Sequence, residues 1–591
     1  MNNYKIKILP DNKIIRARKG DNLAEKIEEA RINLSFYCNK RGICGKCFVE
    51  IEKGILPELK EKEKSLIEQK KLRNNLRLAC LYRIKNDLRI KIPDDSIILK
   101  TPILQTGIKS QILVNPLIKK YFIKLDKPEI THPYSILELI RKYFKNKELL
   151  TNVDLLRKMT YIQEKNKFNI TTVIFDDKEI LDIEPKDTTN LNAGIAIDVG
   201  TTTIVVELVD LNSGESIDIL TEPNSQIKYG SDVISRITFA LSSNKNLNEL
   251  RNSVLTKLNQ MIEKLLFRNN LDNNYVYEIV VAGNAPMNHF LLGTPVTSLG
   301  VSPYNAVFAS LPELSSHEIG FKINKNGKVY VAPNIKSFVG GDVSAGLISS
   351  DFSSRKGNYL FIDLGTNGEL VLKKRDRFIT TSTAAGPAFE GMNISNGLLA
   401  LPGAIYKAEY KNKLILHTID NKAPIGICGT GIIDLIRIFL DKGEITPKGT
   451  IKNETKKIKI TDTIFITQKD VREMQLAVAA VKTGIKMILQ KLKLKPEDLD
   501  GIFIAGAFGN YLNIKNSIRI GLLPQIDEDK IVFIGNSSIG GAKALLLSNS
   551  ARKRVESLVK KIQHFSLAVK PSFQENFIDA LEFKNQSIKT N

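Results

Sequence analysis

Two stretches of this chain repeat one phrase: IAIDVGTTTIVVELVDL at 195–211 and LFIDLGTNGELVLKK at 360–374. In each, a continuous apolar run ends at an aspartate, Asp198 or Asp363, passes a short glycine turn and returns as a second apolar run. Runs of this kind predict buried strands. The turns hold Gly200, Thr201, Thr202 and Thr203 in the first copy and Gly365, Thr366, Asn367 and Gly368 in the second. Backbone N–H groups and hydroxyls in such turns can cradle phosphate, and Asp198 and Asp363 can hold hydrated Mg²⁺ between them. One such hairpin alone reads more readily as an ordinary turn. Two copies, followed by further glycine elements in order, favour a nucleotide site built from an internal repeat.

Those elements are VVAGNAPMNHFLLG at 280–293, NIKSFVGGDVSAGLI at 334–348 with Asp342 at the mouth of a helix, IFIAGAFGNYLNI at 502–514 with Gly506 and Gly509, and VFIGNSSIGGAKALL at 532–546. Each glycine pair also suits plain helix–sheet packing. Together they resemble the actin-like ATPase superfamily of acetate and sugar kinases, heat-shock 70 chaperones and 2-hydroxyacyl-CoA dehydratase activators. The resemblance implies that the two turns are the phosphate motifs and that Gly506 and Gly509 approach the adenosine. Asp342 and Glu369 are then the remaining acidic candidates for catalysis, as ligands of Mg²⁺ or of solvent. In PIGICGTGIIDLI, Gly429 is a further nucleotide-binding candidate and Cys428 reads as a buried thiol beside it. Dehydratase activators share a cluster across a dimer through a similar turn, which leaves a homodimer open here.

The N-terminal region has a different signature. FYCNKRGICGKCFVEIEKG places Cys38, Cys44 and Cys47 within ten residues, five and two residues apart, and Cys80 follows after thirty-two more. Gly42 and Gly45 let the loop turn its N–H groups toward inorganic sulfur. Zinc remains chemically open, although a zinc ribbon usually pairs two Cys-x-x-Cys knuckles and only one is present. The flanks predict a hairpin from 4–9 and 14–18, a helix LAEKIEEARI capped by Asn22, a strand FVEIEKG, a charged helix within ELKEKEKSLIEQKKLR and a last strand LRIKIP. This order resembles the beta-grasp 2Fe-2S ferredoxins. The resemblance implies that Cys38 and Cys44 hold one iron and Cys47 and Cys80 the other.

Between the two signatures, residues 96–118 predict a linker, as an extended strand or a tether, and 119–192 a small α/β domain. That domain is expected to hold a strand IKKYFIKLDKP, a helix YSILELIRKYFK and a strand hairpin YIQEKNKFNITTVIFDDKEILDIEP. The expected organisation is 1–95 ferredoxin-like, 96–118 linker, 119–192 middle domain and 193–591 actin-like ATPase, an α/β multidomain chain. The formal charge of +22 is carried largely by lysines interleaved with glutamates, a solvated pattern without nucleic-acid motifs. It suits an acidic protein partner better than nucleic acid. No apolar run has the length of a membrane span, and a tight cysteine cluster without a leader reads as a metal site in a cytoplasmic protein.

The fusion as a whole resembles the ATP-dependent reductive activators of corrinoid proteins. YGSDVISRI at 229–237, TAAGPAFEGMNI at 383–394, ITQKDVREMQLAVAAVKTGI at 466–485 and SLAVKPSFQENFIDAL near the C-terminus carry the same resemblance. It implies a 2Fe-2S cluster, ATP and Mg²⁺ as cofactors, a corrinoid protein as partner and a low-potential electron donor. The activity implied is return of cob(II)alamin to cob(I)alamin by one electron. The alternatives are an actin-like small-molecule kinase, or a dehydratase-type activator with an accessory ferredoxin domain.

Overall fold

A computed structural model describes residues 3–9, 13–30, 47–59, 63–64, 75–93, 113–125, 130, 134–146, 148–166, 169–230, 232–506, 512–567 and 570–583. The chain divides into two compact units. One comprises residues 1–103 with 394–432 and 459–465; the other comprises 104–393, 433–458 and 466–591.

In the first unit the N-terminal residues build a five-stranded sheet in the order Lys13–Arg18, Asn3–Leu9, Leu88–Lys91, Phe48–Lys53, Leu76–Leu78. The predicted hairpin is antiparallel with Ile6 opposite Ile15, while Asn3–Leu9 runs parallel to the last strand. Alternation places Ile6, Ile8, Val49, Ile51, Leu78 and Ile90 in one core, and the helix Leu23–Glu29 closes it with Leu23, Ala24 and Ile27. Each such side chain contributes about 1.5–3 kcal/mol on burial. Asn22 caps the helix by accepting from the Ala24 and Glu25 N–H groups, and its amide donates to the Cys80 carbonyl at 2.9 Å. The mixed sheet with its capped helix is the beta-grasp arrangement that the sequence predicts. Most of the charged helix expected within ELKEKEKSLIEQKKLR lies outside the described residues.

The second unit opens with a three-stranded antiparallel sheet, Ile118–Lys124, Asn169–Phe175 and Glu179–Pro185. The helix Ile136–Tyr143 carries a full capping box between Ser135 and Glu138 and buries Leu139 and Ile140. One expectation is corrected here. The segment YIQEKN belongs to the helix Val153–Asn166, and the hairpin begins only at Asn169. Asn152 starts that helix by accepting from the Leu155 N–H, and Leu155 and Met159 anchor it in the core.

Two six-stranded sheets follow, and five strands of each repeat one topology, the sixth adding at opposite edges. The first runs Ser216–Pro223, Thr203–Asp210, Ala193–Val199, Val276–Gly283, Lys328–Val331, Leu314–Ser315. The second runs Ile562–His564, Arg377–Thr383, Gly368–Lys374, Asn358–Leu364, Gly501–Ala505, Ile531–Gly535. In each, three consecutive strands form an antiparallel meander, and its first strand pairs in parallel with later strands reached through helices. The strands Ala193–Val199 and Asn358–Leu364 are therefore central in their sheets, which explains their unbroken apolar sequence. Both end at the glycine turns. The helices Gly341–Ser349 and Ser537–Leu547 cross at close range, since a Cβ on Gly541 would fall 2.1 Å from the Ala345 carbonyl oxygen.

Candidate functional site

The turn after Ala193–Val199 is strapped from three directions. Asn224 donates its amide to the Gly200 carbonyl at 2.8 Å, Arg236 donates to the Thr201 carbonyl at 2.7 Å, and Asn284 donates to the Thr201 hydroxyl at 3.0 Å. Arg236 is wholly buried, and burial lowers its pKa to about 10, so it stays cationic at neutral pH behind the turn. The second turn is held by a Gly365 N–H donated to the Asn367 carbonyl at 3.0 Å. Thr203 and Gly368 begin the return strands of the two copies. The two turns come together: the hydroxyls of Thr202 and Thr366 lie 3.4 Å apart, and the carboxylate of Glu390 accepts from both.

The acidic candidates also come together. Asp363 stands directly opposite Glu369 across the antiparallel pair, so both carboxylates point to one face. Asp342 opens the helix Gly341–Ser349. Burial, then the charge of Asp363, pushes the Asp342 carboxyl up to about 8; burial, then Asp198, pushes Asp363 up to about 7. Burial, then Asp342 and Asp363, raises Glu369 well above the usual carboxylate range. Asp198 is raised by burial although Asn536 and Ser538 donate to it at 2.8 and 2.9 Å. Like charges held this close without a cation are unfavourable. Among the described residues no three His, Cys, Asp or Glu side chains converge to hold a metal ion by themselves. The set therefore suits a hydrated divalent ion that shares its coordination with phosphate oxygens.

This electrostatics has a measurable consequence. The folded carboxyls of Asp342 and Asp363 bind protons at about 8 and about 7, above the ordinary 3.8. Between those limits the nucleotide-free protein holds more protons folded than unfolded, so their contribution to stability falls as pH rises through that window. The increase in melting temperature on adding Mg-nucleotide is expected to grow from pH 5.5 to pH 8.5. A constant increase, or one that shrinks with pH, would contradict the assignment.

Just past the strand Gly501–Ala505, Gly506 sits at φ +96°, where a Cβ would approach the Leu364 carbonyl to 2.5 Å and an Asp363 carboxylate oxygen to 3.1 Å. Only glycine lets that strand end lie beside the turn at 365–368. Gly509 lies outside the described residues. Gly429 starts the helix Gly429–Asp441 in the sequence stretch assigned to the first unit, and Cys428 beside it is buried against Leu398, Ala404 and Ile419. Its thiol donates to the Ile405 carbonyl at 3.3 Å.

Of the cysteine cluster, Cys38 and Cys44 lie outside the described residues. Cys47 and Cys80 have their sulfurs 3.3 Å apart, are buried, and stand in no disulfide. Cys47 precedes the strand Phe48–Lys53, and Cys80 follows Leu76–Leu78, whose pairing sets Phe48 opposite Leu78. Register thus brings together two thiols with thirty-two residues between them in sequence. Two adjacent sulfurs fit thiolate ligation of one iron of a 2Fe-2S cluster.

Residues absent from the sequence reading of this site are Glu390, Arg236, Asn224, Asn284, Asn536 and Ser538. All but Asn224 lie inside phrases already conspicuous in the sequence, such as TAAGPAFEGMNI for Glu390 and YGSDVISRI for Arg236. Among the described residues no helix is long and apolar enough to cross a membrane.

Comparison with known proteins gives four matches in chain order. A 2Fe-2S iron-sulfur cluster binding domain matches residues 6–85, the RACo linker region 107–190, the RACo middle region 193–355, and the C-terminal domain of RACo, an ASKHA domain, 357–591. The corrinoid activation enzyme RamQ of Eubacterium limosum is 30% identical over 576 residues, which cover 92% of this chain and 93% of that protein. A Co(II) methylated amine-specific corrinoid protein reductase of Methanosarcina barkeri is 28% identical over 429 residues, covering 67% and 78%. A solved structure of a reductive activator for corrinoid, iron-sulfur protein matches with a TM-score of 0.75 at 32% identity, covering 98% of both chains. The N-terminal domain is thus a 2Fe-2S domain and the C-terminal part an actin-like nucleotide-binding domain. This chain belongs to the RACo family of reductive activators of corrinoid proteins.

Proposed function

We propose that the protein is an ATP-dependent reductive activator that delivers one electron to an inactive cobalt(II) corrinoid protein and returns it to cobalt(I). The observation that carries this reading is the fusion of a 2Fe-2S domain to a duplicated ATPase fold, a combination in which neither part explains the other. When bound, the cluster supplies a single low-potential electron. Cys38, Cys44, Cys47 and Cys80 would hold it, and the adjacency of Cys47 and Cys80 supports their sharing one iron. Residues 1–95 would form this redox domain and 193–591 the ATPase. The linker at 96–118 and the middle domain at 119–192 would separate the two.

In the ATPase domain Gly200, Thr201, Thr202, Thr203, Gly365, Thr366, Asn367 and Gly368 would bind the phosphates and Gly506 and Gly509 would serve the adenosine; Gly429 is a further nucleotide-binding candidate. Asp198, Asp363, Asp342 and Glu369 would gather a hydrated Mg²⁺. The energetic logic is simple. The cobalt couple lies below an ordinary 2Fe-2S potential, and each 100 mV of gap costs about 2.3 kcal/mol for one electron. ATP binding or hydrolysis supplies the difference by changing how the partner docks or coordinates its cobalt. A donor of still lower potential restores the cluster after each transfer. A reducing compartment keeps thiolates available to iron, and a cytoplasmic location would suit this reading.

The net charge of +22 favours an acidic corrinoid protein, whose binding then weakens as salt is raised. The test is cobalt reduction itself, followed by absorbance under anaerobic conditions with reductant, Mg-ATP and candidate corrinoid proteins. Phosphorylation of a small acceptor in place of cobalt reduction would establish the kinase reading instead.

A further inference from the structure

The carboxylate of Glu390 occupies the place where the two repeated turns meet. It accepts from the Thr202 hydroxyl at 2.5 Å and from the Thr366 hydroxyl at 3.1 Å, one threonine from each turn. Glu390 belongs to neither turn: it ends the short helix Pro387–Glu390, beyond the strand Arg377–Thr383 that pairs with Gly368–Lys374. Gly365 leaves room for it, since even an added Cβ there would lie 3.8 Å from a Glu390 oxygen. Its electrostatic setting differs from that of the other acids. The charges of Asp198, Asp342 and Asp363 act within the set Asp342, Asp363 and Glu369, whereas Glu390 is raised by burial and the charged side chain that acts on it, lowering it, is the buried Arg236. One acid therefore stands apart from the cation-binding set, on the threonine side of the turns. A hydroxyl donated to each oxygen fixes the plane of the carboxylate and leaves further lone pairs on both oxygens.

We propose that Glu390 is a catalytic residue that orients and deprotonates the water attacking the terminal phosphoryl group of ATP. The proposal rests on the reading of turns 200–203 and 365–368 as the phosphate site. In the step, a Glu390 oxygen takes one proton from the water, and the water oxygen forms a bond to the γ-phosphorus. The bond from that phosphorus to the β–γ bridging oxygen breaks, and its electron pair stays on the β-phosphate. The products are ADP and inorganic phosphate, and Glu390 returns its proton to solvent. The carboxylates that gather the cation are poorly suited to this task, because a cation holds them in the unprotonated form. Thr202 and Thr366 act as the hydroxyls that aim the base.

The experiment uses the full-length protein with its cluster, and compares parent, Glu390→Gln and Glu390→Asp. Mg-ATP affinity is measured by titration calorimetry, hydrolysis by phosphate release, and folding by the cluster spectrum. Glu390→Gln is expected to bind Mg-ATP within about threefold of the parent while hydrolysis falls by about a hundredfold or more. Glu390→Asp keeps a carboxylate, one methylene further back, and is expected to hydrolyse at least about tenfold faster than Glu390→Gln. Glu390→Gln that hydrolyses within about threefold of the parent overturns the proposal. So does a variant that loses Mg-ATP binding, which shows a structural strut, or one that binds more tightly with undiminished hydrolysis, which shows a latch against phosphate entry. A parent that binds Mg-ATP without hydrolysing it overturns the catalytic role and leaves the phosphate site standing. A parent that fails to bind Mg-ATP overturns both.

Discussion

Asp363→Ala is expected to lower ATP turnover by at least about a hundredfold while leaving the visible spectrum of the iron-sulfur cluster unchanged. Asp363 stands next to last in a central strand, just before the turn at 365–368, and faces Glu369 across the pair. Its carboxylate is therefore built into the site that would gather Mg²⁺. The same substitution removes one of two directly opposed acids. The nucleotide-free protein should then melt no lower than the parent, and relief of like-charge contact adds up to about 1 kcal/mol. Loss of turnover together with undiminished stability separates a functional carboxylate from a turn former. A variant that melts early yet turns over normally per folded molecule would assign Asp363 to the turn alone.

Cys47→Ser is expected to remove or distort the cluster spectrum and to lower bound iron and sulfide well below two of each per chain, while Mg-ATP binding persists. The thiol is 1% exposed, beside Cys80 at 3.3 Å, so it cannot be replaced by a cysteine elsewhere without moving the strand it precedes. A serine hydroxyl is a weaker iron ligand and, if left unligated, a buried polar group that costs about 1–3 kcal/mol when it lacks a partner. Iron and acid-labile sulfide assayed on anaerobically purified protein decide the matter. Stoichiometric zinc without sulfide in the parent would contradict the cluster assignment altogether.

The sequence reading is most direct where the chemistry is local. Asp198 and Asp363 each sit two residues before the glycine of their turn, and Cys44 and Cys47 have two residues between them, so spacing alone marks them as candidates. It failed where strand register or long-range packing does the placing. The facing of Asp363 and Glu369 depends on which residues pair across a hairpin, and Glu390 reaches the turns from a separate loop. Asn284 and Arg236 are invisible for the same reason: each is an ordinary polar residue until the fold carries it to Thr201. The misassigned segment YIQEKN is too polar to declare its period, but Asn152 three residues before Leu155 is a helix-start signal that was there to be read.

The central claim is that ATP and the cluster act together on cobalt. Its most direct test is a single-turnover measurement: protein with its cluster reduced beforehand and excess reductant removed is mixed anaerobically with a cobalt(II) corrinoid protein, with and without Mg-ATP, and the cobalt absorbance is followed. The account predicts that cobalt(I) appears with Mg-ATP, in step with loss of the reduced-cluster signal, and that its yield falls at least about tenfold without nucleotide, the factor that about 1.4 kcal/mol supplies. Cobalt(I) appearing equally fast and fully without nucleotide, or cobalt(II) persisting with every corrinoid protein in the presence of Mg-ATP, would contradict it.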